Sequence, residues 1–122
     1  LKKEELLYTK DHEWLNIKGE EVEIGISGYA ADELGDITFI EFPYPDGEVA
    51  EGDELVSIES VKAASSVDSP VDGTVMYVNS KLEDAPEKLA DAPFDTVLIK
   101  LKFSHIDTST FLSYDEYKKT LE

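Results

Sequence analysis

Between residues 13 and 103 the chain is a succession of short runs rich in valine, isoleucine and other strand formers. Each is cut off within a few residues by a glycine, a proline or an acidic turn. Strands this short at such regular spacing confine the chain to small antiparallel sheets packed as a sandwich or barrel. The candidate strands are 13–17, 21–26, 37–42, 54–59, 64–67, 73–79 and 97–103. Lys18-Gly19, Pro45-Asp46-Gly47, Glu51-Gly52 and Val71-Asp72-Gly73 supply either a glycine at ease with positive φ or a proline with φ already set, so the strands are expected as hairpins. Ile24, Ile26, Ile37, Leu55, Ile58, Val75 and Leu101 are the expected core.

Three segments break the strand pattern. Residues 27–35 open on a serine able to cap, continue through good helix formers and stop at Gly35, which predicts one short helix. Residues 84–90 predict a further turn or two, with Pro86 near the start. Ser113-Tyr114-Asp115-Glu116 is a capping-box pattern opening a terminal helix, with Tyr117 and Leu121 spaced to dock it on the sheet. The whole is expected as one all-β domain with short helices over residues 1–122, a core at about 8–103 and a helical extension at 104–122. Similar units on either side of Lys62 suggest two facing sheets with that lysine at an outer tip.

Charge narrows the function. The 122 residues carry 28 acidic and 11 basic side chains, a net charge of −17, and every basic residue is a lysine. Nucleic-acid binding needs a cationic footprint and draws on guanidinium forks, both lacking here, and an anionic membrane surface is disfavoured on the same ground. No uncharged run approaches the ~20 residues of a membrane span. The first residues lack a cleavable signal pattern, which suits a cytoplasmic chain if bacterial, or a mitochondrial matrix chain if eukaryotic. With no cysteine, disulfides and thiolate chemistry are excluded, and redox work would have to arrive on a cofactor.

The run from Leu55 to Val67 is strand-like at both ends, yet its middle holds neither glycine nor proline. If the chain reverses at 60–63, Lys62 stands on a protruding tip among small residues. The plainest reading of an isolated lysine in an acidic domain is a solvated ammonium. Glu59-Ser60-Val61-Lys62-Ala63, however, resembles the lipoyl-attachment segment of the glycine cleavage H-protein family. Tyr8-Thr9-Lys10-Asp11-His12-Glu13-Trp14 resembles that family's amino-terminal signature, and so does Gly25-Ile26-Ser27-Gly28-Tyr29-Ala30 followed by Leu34-Gly35-Asp36. Ser69-Pro70-Val71-Asp72-Gly73, the Leu98-Ile99-Lys100-Leu101-Lys102 strand and the terminal Leu112 to Tyr117 segment follow in family order. A biotinyl carrier presents its lysine between methionines, whereas Val61 and Ala63 flank this one.

The resemblance implies a lipoyl-type barrel-sandwich hybrid of two packed sheets, monomeric, with lipoate joined to Lys62 as an amide. It implies a carrier rather than an enzyme. The arm would take an aminomethyl group from a pyridoxal-phosphate glycine decarboxylase and pass it to a folate-dependent aminomethyltransferase. An FAD-containing dihydrolipoyl dehydrogenase would reoxidise the arm, and a lipoate ligase or a lipoyl or octanoyl transferase would install it. Glu13, in the matching signature, is the residue expected to hold the cationic amine in a cleft. Four residues after the lysine, where the family is often acidic, this chain has Ser66; Asp11, on the same face of a strand as Glu13, is the expected substitute.

Residues 93–97 lack the glycines and tryptophan usual before the last strand, which suggests either a reshaped wall near the arm or an H-like lipoate relay or redox carrier outside glycine cleavage. An unmodified acidic binding module is the alternative from another class. Asp11, His12 and Glu13 are unsuited to a shared metal because neighbours on a strand alternate faces. The run Glu48, Glu51, Asp53 and Glu54 reads as a solvated face suited to basic partners.

Overall fold

The computed structural model describes residues 2–122. A six-stranded antiparallel sheet, ordered β1-β2-β3-β9-β8-β5, faces a three-stranded one, ordered β4-β6-β7. The strands are β1 (Leu7–Tyr8), β2 (Glu13–Lys18), β3 (Glu21–Ile26), β4 (Ile37–Glu41), β5 (Gly47–Val49), β6 (Glu54–Ser60), β7 (Ala64–Asp68), β8 (Gly73–Val78) and β9 (Ile99–Phe103). Among the described residues four α-helices accompany them: α1 (Gly28–Leu34), α2 (Lys81–Asp84), α3 (Lys88–Asp91) and α4 (Tyr114–Thr120). This is the mostly β, two-sheet architecture with short helices that the sequence implies, and the sheets do not close into a barrel. All seven residues expected in the core are buried there.

The glycine and proline turns do different jobs from those expected. Gly19, at φ +61°, serves a true hairpin between β2 and β3, and β6 and β7 form a second. The turns at 45–47, 51–52 and 71–73 instead move the chain between sheets, because β4 pairs with β6 while β5 pairs with β8. A positive-φ glycine permits a reversal but does not choose the partner strand. Bulges in β4 and β8 put Phe39, Met76 and Tyr77 on the outside.

Helix chemistry is legible locally. Ser27 caps α1 by accepting the Ala30 N–H, and Gly35 ends it at φ +71°. Ser113 and Glu116 form the complete capping box of α4. The single helix expected at 84–90 is instead split into α2 and α3, because Pro86 lacks an N–H and displaces Ala85 from helical backbone to φ −141°, ψ 65°. Leu121 lies exposed at the C-cap, while Tyr117, with the partly buried Tyr114, packs α4 against Tyr8 of β1.

β2 departs from simple alternation, since Glu13, Trp14 and Leu15 are all buried. Leu15 faces the main core, whereas Trp14 joins Leu6, Tyr8 and Tyr117 in a second cluster covered by Phe94, Val97, Leu112 and Tyr114. Trp14 pairs across the sheet with Gly25, where any Cβ would overlap the indole. Gly25→Ala should therefore destabilise the protein by about 1–3 kcal/mol through overpacking. Urea unfolding checks this, and equal midpoints would show that the indole has room to move.

Candidate functional site

The reversal that lacks glycine and proline is made by a serine side chain. Ser60 N–H donates to the Ala63 carbonyl at 2.8 Å, the Ser60 hydroxyl donates to the same carbonyl at 3.1 Å, and Ala63 N–H donates back to Ser60 Oγ at 3.0 Å. Three short bonds replace the turn residues that the segment lacks. Val61 N–H donates to the Asp36 carbonyl at 3.0 Å, which anchors the tip to the connection between α1 and β4. The Val61 side chain is left 76% exposed.

Lys62 is exposed and, among the described residues, makes no ion pair. Its stem lies over Gly35, where an added Cβ would be 3.3 Å from Lys62 Cε. Gly35 thus serves twice, accepting the positive φ that ends α1 and leaving room for the lysine. Glu59 and Ala63 are also exposed, with Glu59 paired across the hairpin to Ala64.

From the tip β7 runs toward the turn that precedes β2. Ser65 and Ser66 lie three and four residues beyond Lys62, roughly 10–14 Å along an extended strand. With Asp68, Lys10, Asp11 and His12 they line a polar cavity of roughly 340 Å³. Glu13 is buried beside it, its carboxylate accepting from the Thr9 hydroxyl at 3.0 Å and from the Asp68 N–H. Thr9 Oγ1 also accepts the N–H groups of Asp11 and Glu13, so one threonine staples the whole turn.

Burial, reinforced by the charges of Asp11 and Asp68, pushes the Glu13 carboxyl up to about 7 despite its hydrogen bonds to Thr9 and Asp68. Asp11 reaches Glu13 by a different route from the one expected. It lies in the turn, exposed, and not on a shared strand face, because His12 between them adopts φ +70°. Sequence reasoning missed Asp68, which accepts the Ser66 hydroxyl at 3.3 Å. The signal was available: Asp68 is two residues past Ser66 and faces the same side of β7. The cavity thus places the carboxylates of Asp11 and Asp68, together with the Lys10 ammonium, next to a buried Glu13 whose carboxyl holds its proton above the usual range.

Other expected features fall elsewhere. Trp14 is core, its Nε1–H donating to the Pro93 carbonyl at 2.9 Å. Phe94 packs in the second cluster and meets Gly28 at the start of α1, so residues 93–97 touch the helix that supports Lys62 and not the cavity lining. Asp53 is not simply part of a solvated face, since its carboxylate accepts the Ala50 N–H at 2.8 Å. Among the described residues no three of His, Asp and Glu converge as metal ligands.

An exposed lysine on a braced hairpin tip, with a polar cavity along the strand that leaves it, is a geometry suited to a carrier domain. The family model described as glycine cleavage H-protein matches residues 6–122. A glycine cleavage system H protein of Staphylococcus carnosus is 40% identical over 120 residues, 97% of this chain and 95% of that relative. A probable glycine cleavage system H protein of Thermococcus gammatolerans is 46% identical over 123 residues, 98% of this chain and 92% of the relative. The crystal structure of a glycine cleavage system H protein from Mycobacterium marinum superposes with a TM-score of 0.85 at 28% identity, covering 97% of each chain. The chain belongs to the glycine cleavage H-protein family, whose members are carrier components and not enzymes.

The Glu13 shift has a stability consequence. Its proton is held more tightly in the folded chain, so its contribution is most favourable below the ordinary 4.5 and is lost as pH rises to about 7. Relative to wild type, Glu13→Gln should therefore gain roughly 2–3 kcal/mol of stability between about pH 4 and about pH 8. Denaturant titrations across that range check it; a difference independent of pH would show an ordinary carboxylate.

Proposed function

We propose that the chain carries lipoate as an amide on Lys62 and shuttles an aminomethyl group within the glycine cleavage system. The observation supporting this most directly is the placement of Lys62 in a member of this family: exposed, unpaired and held on a braced tip. The residues present suit such a group. The lysine amine is free to be acylated, the small neighbours Ser60 and Ala63 leave it accessible, and the polar cavity lies within reach of a lysine side chain lengthened by an acyl chain. A lipoyl group there would supply the disulfide-dithiol chemistry and the cargo-bearing sulfur that a chain without cysteine lacks.

The protein's own contribution is tethering and shelter. The hairpin fixes the root of the arm, so its far end is confined near each docked active site at raised effective concentration. Asp11 and Asp68 attract a cationic amine, and Glu13, once ionised, accepts a hydrogen bond from it. A cation docked there favours the ionised carboxylate, so docking displaces the proton that Glu13 otherwise retains near neutral pH.

The partners in this reading are a pyridoxal-phosphate glycine decarboxylase, a folate-dependent aminomethyltransferase, an FAD-containing dihydrolipoyl dehydrogenase, and a lipoate ligase or lipoyl or octanoyl transferase. The net charge of −17 suits basic docking patches on them. The reading takes residues 1–122 as one monomeric carrier domain, and the bacterial and archaeal relatives favour a cytoplasmic setting.

Incubation with a lipoate ligase should add one lipoyl group to wild type and none to Lys62→Arg, read by intact mass. The lipoylated chain should then support glycine-dependent bicarbonate exchange by the decarboxylase, with activity falling as salt screens the encounter. A lipoyl mass on Lys62→Arg refutes the attachment site. Absence of exchange at every salt, from a chain that still donates lipoate or accepts electrons, points to a relay outside glycine cleavage. Absence of lipoylation altogether points to an unmodified acidic binding module. In Glu13→Gln the loaded arm should lose its cargo roughly tenfold faster, the worth of a charge-assisted hydrogen bond in a sheltered site.

A further inference from the structure

The turn that lines the proposed arm cleft and the helix that supports the stem of Lys62 are both held by one hydroxyl from far along the chain. Tyr117, on α4, places its Oη 2.8 Å from His12 Nδ1 and 2.7 Å from Ser27 Oγ. A phenolic hydroxyl has one proton to give and lone pairs to accept with, so it can serve both partners together. His12 lies between Asp11 and Glu13 in the turn that lines the cavity. Ser27 caps the start of α1, whose end at Gly35 supports the stem of Lys62.

His12 needs holding. It is the one non-glycine among the described residues with positive φ, at +70°, a conformation uncommon outside glycine even though histidine, like asparagine and aspartate, adopts it more readily than most. The Ser27 N–H donates to the His12 carbonyl at 2.9 Å, and the imidazole lies over Tyr29 with centroids 4.7 Å apart. The Tyr117 hydroxyl adds a hydrogen bond to the ring itself. Tyr117 is itself closely packed: 2% exposed, stacked on Tyr8 at 4.5 Å with planes 5° apart, and carried by a helix with a full capping box. Its ring serves packing and its hydroxyl serves the cleft, so the two roles can be separated.

We infer that Tyr117 is a positioning residue: through its hydroxyl, the terminal helix fixes the turn bearing Asp11, His12 and Glu13 relative to α1, and so sets the cleft that retains the loaded arm. This rests on the arm-holding role proposed for Glu13. Tyr117→Phe keeps the ring stacked on Tyr8 and removes only the shared hydrogen bonds. Ser113→Ala breaks the capping box and weakens the same helix without touching the clasp.

The first readout needs no arm. In the unmodified chain, ¹⁵N resonances of the His12 ring should report one dominant tautomer in wild type and in Ser113→Ala, and an averaged mixture in Tyr117→Phe. The second readout is the time for which a fully lipoylated chain, loaded with glycine by a pyridoxal-phosphate decarboxylase, keeps its cargo. Tyr117→Phe should shorten it about three- to tenfold, as expected for lost buried hydrogen bonds, while Ser113→Ala, with a comparable loss in thermal midpoint, should match wild type. Equal shortening in both variants, or an unchanged His12 spectrum in Tyr117→Phe, would reduce Tyr117 to a structural residue. Glu13→Gln in the same assay separates the two levels. If it shortens retention and Tyr117→Phe does not, the clasp alone is wrong; if Glu13→Gln has no effect, the holding role of the cleft falls, and the clasp's purpose with it.

Discussion

A short strand buried on both faces governs this molecule. Within β2, Leu15 points into the space between the two sheets while Trp14 points the other way, into an aromatic cluster built with Tyr8 and Tyr117. Gly25 exists opposite Trp14 because the indole occupies the place of a side chain. The terminal helix and the segment around Phe94 exist as a lid over that indole. Once both faces of β2 are covered, Glu13 at its start is drawn below the surface along with its neighbours, which is how a carboxylate comes to be buried beside an open cavity.

That burial would be costly without compensation. Thr9 and the Asp68 N–H donate to Glu13, and the remaining cost appears as a carboxyl that keeps its proton to about pH 7. The arrangement is stable as an acid and receptive as an anion. A positive charge beside it would favour the ionised form, which is what the amine-holding role proposed for Glu13 requires. The chain's overall negative charge acts in the same direction at long range, and Asp11 and Asp68 act at short range.

Much was legible locally. The capping serine and terminal glycine of α1, the capping box of α4 and the seven candidate strands between residues 13 and 103 are encoded in neighbouring residues and are found to within a residue or two, while the short strand β5 (Gly47–Val49), beginning at a glycine read as a turn, was missed. The segment from Glu59 to Ala63 was legible as a motif, and its turn could be placed although its mechanism, a serine hydroxyl bridging Ala63, could not. What failed were statements about partners. Turns at 45–47, 51–52 and 71–73 were read as hairpins because glycine announces a bend without naming the strand that receives it. The two-residue strand β1 was invisible because only its partners Trp14, Leu15 and Leu112 give it a place.

The sequence by itself determined the elements and the chemistry they carry: short strands, capped helices, a lysine between two runs, no sulfur nucleophile and a strongly acidic surface. These follow from propensity, side-chain hydrogen bonding within a few residues, and composition, none of which needs the rest of the fold. Only the tertiary structure decided that Asp68 stands beside Glu13 where Ser66 lacks a charge, that Glu13 is shielded from water, and that Tyr117 reaches across 105 positions to His12. Such facts depend on which surfaces meet when two sheets and a helix bury their apolar faces together. The resulting shift in proton affinity is a property of the assembled surroundings and not of any one residue.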